Sequence, residues 1–202
     1  MKGLVLAATA ALALAACTGG EPTAVQTRAD TPPRATGGQN VTTYTIFEWW
    51  RAPDSLFIPD STKEYGIRFK SSIPGRVVGF RVYTYGPGEY RLRLRNDAGQ
   101  SLATGGTLTT WDTTVGWKNV SLSTAPYTLT VGKYYRVTGT SRNGSMGLTP
   151  NFFATGPFTH NNVLTATQGA IYLTGPPVQV LVDSTTTAYF VDVIFQPESE
   201  LE

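Results

Sequence analysis

Tyr65, Ile67 and Phe69 alternate with Gly66 and Arg68; Val78, Phe80 and Val82 alternate with Gly79, Arg81 and Tyr83; Leu92 and Leu94 alternate with Arg91, Arg93 and Arg95. A two-residue period turns apolar side chains to one face and polar ones to the other, so each run predicts a half-buried antiparallel strand. Further strands are expected over 101–109, 117–122, 134–140, 171–174 and 188–195, with Gly86-Pro87-Gly88, Asn96-Asp97-Ala98-Gly99, Val131-Gly132-Lys133 and Arg142-Asn143-Gly144 as turns between them. About eight one-sided strands need two packed sheets to hide their apolar faces. The expected fold is all-β, a single-domain antiparallel β-sandwich, jelly-roll-like, spanning 44–197, with a closed barrel as the alternative.

A different pattern occupies the start. The apolar run Leu4–Leu14, broken only by Thr9, follows Lys2 and ends at Ala15-Ala16-Cys17. It suits a secretory signal and falls short of the ~20 residues that span a bilayer. Residues 1–16 are therefore expected to be an export signal, and small-small-Cys resembles the lipobox of bacterial lipoproteins, which implies acylation of Cys17. As the sole cysteine, Cys17 has no disulfide partner in the chain. Residues 17–43 are rich in Thr, Gly, Pro and Ala and have no aromatic, so a disordered tether is expected there, and 198–202 form an acidic tail. The expected location is the bacterial cell envelope, extracytoplasmic and lipid-anchored. If the host has an outer membrane, Thr18 after the acylated cysteine resembles the outer-membrane sorting pattern.

Sixteen Lys and Arg stand against fourteen Asp and Glu, a formal charge of +2 that gives the chain no basic field for nucleic acid. Catalytic signatures are thin. The one histidine, His160, excludes a multi-histidine metal site, and Asn143-Gly144-Ser145-Met146-Gly147 lacks the first glycine of a nucleophile elbow. A glycosidase needs only two acids, but no strand sets two on one face. No enzyme and no obligatory cofactor are expected.

Three blocks carry a family resemblance: Glu64–Phe69 leading into Gly75–Tyr83, Gly116–Leu122 followed by 129–135, and Tyr189–Pro197. In this order they resemble the bacterial DUF4082 domain. The resemblance implies an extracellular β-sandwich, often one module of a larger surface or secreted protein, with no established catalytic role. Leu94-Arg95 departs from it, since relatives tend to have Leu-Trp before the following turn.

Three sets of residues could carry function. Asp192 lies among apolar residues and needs a partner, either Arg68 or a structural Ca2+ shared with Glu64. A three-residue hairpin loop at Gly86–Gly88 would gather Arg81, Tyr83, Arg91, Arg93 and Arg95 on one outward face. Opposed arginines there would need an acidic neighbour or an anionic ligand. Aromatics at Trp49, Trp50, Trp111 and 152–158 suit the apolar faces of sugars, although adjacent Trp49 and Trp50 would point oppositely in an extended chain, whereas Trp117 reads as core. The expected function is a non-catalytic envelope module recognising glycan or another envelope polymer, with membrane contact through the lipid. The alternative is a structural or protein-interaction module, and a carboxylate-dependent glycosidase is the distant one.

Overall fold

The computed structural model describes residues 42–173 and 181–198. The expected signal, Cys17, the expected tether up to residue 41 and the end of the acidic tail lie outside the described residues. The strands are β1 (Ser55–Phe57), β2 (Lys63–Ser71), β3 (Gly75–Tyr85), β4 (Gly88–Asn96), β5 (Ser101–Thr110), β6 (Val115–Ser121), β7 (Tyr127–Leu129), β8 (Tyr134–Arg142), β9 (Met146–Thr149), β10 (Phe158–His160), β11 (Leu164–Leu173), β12 (Leu181–Thr185), β13 (Ala188–Tyr189) and β14 (Val191–Pro197). They form two packed antiparallel sheets, so the protein is a β-sandwich. The first has β3 at its centre, with β14 on one side, β6 and β7 also paired to it, and β9 leading to β1 and β13. The second runs β10-β11-β2-β8-β4-β5, with β12 on β11.

The core lies between the sheets, where Ile67, Phe69, Leu92, Leu94 and Val137 of the second meet Val77, Phe80, Val82, Val191, Val193 and Phe195 of the first. Val78 does not take the inward place its alternation predicts. Against β14 the register shifts, Gly79 facing Ile194 and Val77 facing Phe195, which leaves Val78 as the extra residue of a β-bulge. The bulge reverses the alternation, so that Val77 and Phe80 both point inward.

Gly86-Pro87-Gly88 is not a hairpin loop. It carries the chain from one sheet to the other, because β4 pairs with β5 and β8 while β3 pairs with β14 and β6. Val82 and Leu92 are both buried, as expected, but in facing sheets. Arg81 and Tyr83 therefore share the outward face of one sheet, and Arg91, Arg93 and Arg95 that of the other. The single five-residue face does not form.

Asp192, wholly buried, lies directly opposite Arg81 in the β3–β14 ladder. Arg81 donates to its Oδ2 from Nε (3.0 Å) and Nη2 (2.7 Å), and the backbone N–H groups of Ile46 (2.9 Å), Phe47 (3.1 Å) and Val193 (2.7 Å) supply the remaining donors. Arg81 Nη2 also donates to the Phe47 carbonyl, and its guanidinium lies 4.1 Å over the Trp117 ring. Phe47 in turn stacks on Phe190 at 4.6 Å. This replaces the expected partners. Arg68 is on β2 in the opposite sheet and binds Asp97, and with both carboxylate oxygens of Asp192 filled by these donors, calcium has no place to bind between Asp192 and Glu64.

Because a buried ion left without its partner is costly, Asp192→Ala should destabilise the fold by about 3 to 5 kcal/mol. The joint replacement Arg81→Met with Asp192→Leu should recover most of that loss, and chelator should leave the melting temperature unchanged. Urea unfolding midpoints of the three proteins check the first two expectations.

Candidate functional site

On the outward face of the second sheet, alternation places Glu64, Arg68, Arg136, Thr138, Arg91, Arg93 and Arg95 side by side across β2, β8 and β4. Glu64, 1% exposed, accepts from Arg95 Nε (3.0 Å) and Nη2 (2.8 Å), from Thr138 (2.7 Å) and from Arg93. Desolvation pulls the Arg95 guanidinium below its ordinary pKa, and the Glu64 charge opposes that shift. Asp97, at the β4–β5 turn, binds Arg68 (2.7 Å) and Arg136 (3.1 Å). The hydrogen bond from Arg68 is the largest cause holding its carboxyl below the usual range. Glu64 is thus an arginine clamp and not a calcium ligand. Of the two remedies for opposed arginines, an acidic neighbour serves Arg93 and Arg95.

Arg91 belongs to a different neighbourhood at the end of this sheet. A cleft of about 300 Å³ lies between Pro87, Glu89, Thr109, Trp111, Arg142 and Asn143. It adjoins a second of about 480 Å³, lined by Ile58, Ser61, Arg91 and Thr140, and the two share Glu89, Arg142 and Asn143. The ladder sets Glu89 between Thr109 and Arg142, with Arg91 one step along, bound to Glu89 at 2.9 Å. Trp111 is 86% exposed.

The walls of this cleft are held rigidly. Buried Tyr90 donates its hydroxyl to the Ser145 carbonyl (3.1 Å), and Ser141 Oγ donates to the Gly144 carbonyl (2.9 Å). Burial pushes the Tyr90 pKa up, which keeps that hydroxyl protonated as a donor. Gly88 and Gly144 must be glycines here: a Cβ on Gly88 would come within 2.6 Å of Gly144 Cα, and one on Gly144 would strike the Tyr90 hydroxyl. Asn143, at φ 58, follows Arg142 at the resulting turn. Opposite it, the Trp111 loop is closed by Asp112, whose carboxylate accepts from the Thr114 N–H (2.7 Å), the Thr114 hydroxyl and Lys118 (3.0 Å). A flat ring lining the same cleft as guanidinium, carboxylate and amide groups offers stacking and hydroxyl-directed hydrogen bonds together.

Of the residues singled out from the sequence, Trp111 lines this cleft and Arg91 the adjoining one. Glu89, Arg142 and Asn143 were not foreseen as site residues. The turn signal Arg142-Asn143-Gly144 marked their position, but nothing local tied that turn to Trp111. Trp49 and Trp50 are both exposed, 79% and 64%, where an extended chain would have pointed them oppositely. They occupy a turn closed by Arg51 N–H to the Glu48 carbonyl (3.1 Å), so strand alternation does not apply. Phe152 and Phe158 pack with Phe47 and lie under the Arg51 guanidinium, 4.7 Å and 5.2 Å from it, and Phe153 is buried. That loop is packing, not ligand surface. Trp117 is half-buried, as its core reading anticipates, and donates Nε1 to the Arg51 carbonyl. His160 Nδ1 lies 3.3 Å from Glu48.

The family model described as a domain of unknown function, DUF4082, matches residues 52–191. No curated protein matches the chain. The matched span contains Glu89, Arg91, Trp111, Arg142 and Asn143, whereas Trp49 and Trp50 precede it.

Hydrogen bonds from Thr114 and then from Lys118 lower the Asp112 pKa from 3.8 to about 2. A folded-state pKa below the unfolded one stabilises the closed loop fully above about pH 3.8, and that contribution is lost as pH falls through about 2. The Trp111 indole N–H resonance should accordingly hold its position from neutral pH down to about 3 and move as pH falls through about 2. In Asp112→Ala that titration step should be absent.

Proposed function

The chain belongs to the DUF4082 family, a domain with no assigned activity, and from its surface chemistry we propose that it is a non-catalytic binding module of the bacterial cell envelope that holds glycan in the Trp111 cleft. The observation that carries this reading is an exposed tryptophan ring at a rigid cleft whose other walls include Glu89, Arg142 and Asn143, with Arg91 lining the adjoining one. An apolar sugar face stacks on such a ring while its hydroxyls find charged and amide partners. The proposed lipid anchor at Cys17, followed by a tether, would present the domain outside the cytoplasm, at the outer membrane where the host has one. The module works without a cofactor and without catalysis, and His160, engaged by Glu48, fits a structural role.

A protein partner is the second reading. It is favoured by Trp49, Trp50 and Leu56, three exposed large apolar residues within one short stretch. That surface is distinct in sequence from the Trp111 loop, so substitutions separate the two readings.

Full-length protein in detergent should bind polysaccharide on a glycan array, and Trp111→Ala should weaken that binding by about tenfold or more, which corresponds to ~1.4 kcal/mol, with unchanged circular dichroism. Binding lost in Trp49→Ala and Trp50→Ala but retained in Trp111→Ala would move the site to the second surface. For the anchor, Cys17→Ser should abolish acylation and release an exported protein from membranes. Retention of that variant in the membrane fraction would contradict the lipid attachment.

A further inference from the structure

We propose that the Trp111 cleft selects acidic sugars, with Arg142 receiving the carboxylate of a uronic acid residue stacked on the ring; this rests on the glycan reading above. The inference comes from how the arginines of the second sheet are paired. Arg68 and Arg136 bind Asp97, Arg93 and Arg95 bind Glu64, and Arg91 binds Glu89. Arg142 is the exception. It lies directly opposite Glu89 in the ladder, yet Glu89 turns to Arg91, and no described carboxylate forms an ion pair with Arg142.

The two adjoining clefts together therefore hold two guanidinium groups, Arg91 and Arg142, against the one carboxylate of Glu89, one uncompensated positive charge. That charge sits where a ligand would be held. Arg142 and Asn143 line the same 300 Å³ space as Trp111, so a sugar stacked on the ring presents its substituents to them. A guanidinium fork matches the two coplanar oxygens of a carboxylate, and the amide of Asn143 adds a donor beside it. One uncompensated charge balances a monoanion, and the Glu89 carboxylate opposes more highly charged groups such as phosphate monoesters. The turn that carries Arg142 is locked by Tyr90 and Ser141, so little ordering accompanies binding.

Calorimetric titration of the full-length protein in detergent would compare oligogalacturonate, oligoglucuronate and oligomannuronate, each with its carboxyl-reduced counterpart. At least one acidic oligomer should bind about tenfold tighter than its reduced form at low ionic strength, and that preference should shrink as salt rises from about 0.01 M to about 0.15 M. Arg142→Gln should bring the acidic and reduced oligomers to equal affinity, Arg142→Lys should restore part of the preference, and Trp111→Ala should weaken both forms. Equal binding of acidic and reduced oligomers by the parent, or a preference that survives in Arg142→Gln, would overturn the acidic selectivity and leave the glycan reading standing. Binding of none of these oligomers, with the protein folded, would overturn both.

Discussion

The Asp192 carboxylate is the point on which the first sheet depends. It gathers donors from three places in the chain, the entering segment at Ile46 and Phe47, Arg81 on β3 and its own strand at Val193. An ionised carboxylate removed from water is tolerated only when its lone pairs are filled and its charge is met, and here both conditions hold. The consequence reaches beyond the ion pair. Fixing Phe47 lays its ring on Phe190, brings Trp117 over Arg81 and roofs the outward side of β3 with aromatic surface. The core is thus extended by these rings, and the entering chain is tied to the last strand, where Tyr44 and Phe195 exchange backbone hydrogen bonds of 2.7 and 2.8 Å.

Glu64 plays the corresponding part on the opposite face. Like charges on neighbouring strands repel, and the sheet resolves this by setting one buried acid among Arg93, Arg95 and Thr138 and a second, Asp97, between Arg68 and Arg136. The central part of this face is therefore electrostatically closed, its charges satisfied within the protein. Chemistry open to a ligand is displaced to the sheet's end, where the strands stop, the backbone turns tightly around Gly88 and Gly144, and Arg142 is left over beside the Trp111 loop. The location of the cleft and the closure of the flat face have the same origin.

Much of this was legible in the one-dimensional pattern. Period-two alternation gave β2, β4 and most of β3, and the Asn96–Gly99 turn does join two paired strands. Short strands escaped, among them β1, β7 and β10, because three residues carry no period and exist only through their pairing. Most of β11 escaped as well, since its small and polar first half, 164–169, has little alternation to read. Val78 was misplaced by a bulge that no local signal announces.

By itself, the sequence determined the all-β class, which residues of β2 and β4 face inward, and that Asp192 and the outward arginines needed opposite charge. Only the tertiary structure decided which acid meets which arginine. Alternation is a property of neighbours along the chain, whereas pairing is chosen by the sum of contacts between segments far apart: Asp192 finds Arg81 across 111 residues, while Glu64 finds Arg95 across 31. A tripeptide that looked like a hairpin turn instead changed sheets, and that single topological step separated Arg81 from Arg91. It also gave Trp111 and Arg142 a common cleft, because two loops meet at a sandwich end only after both sheets have formed.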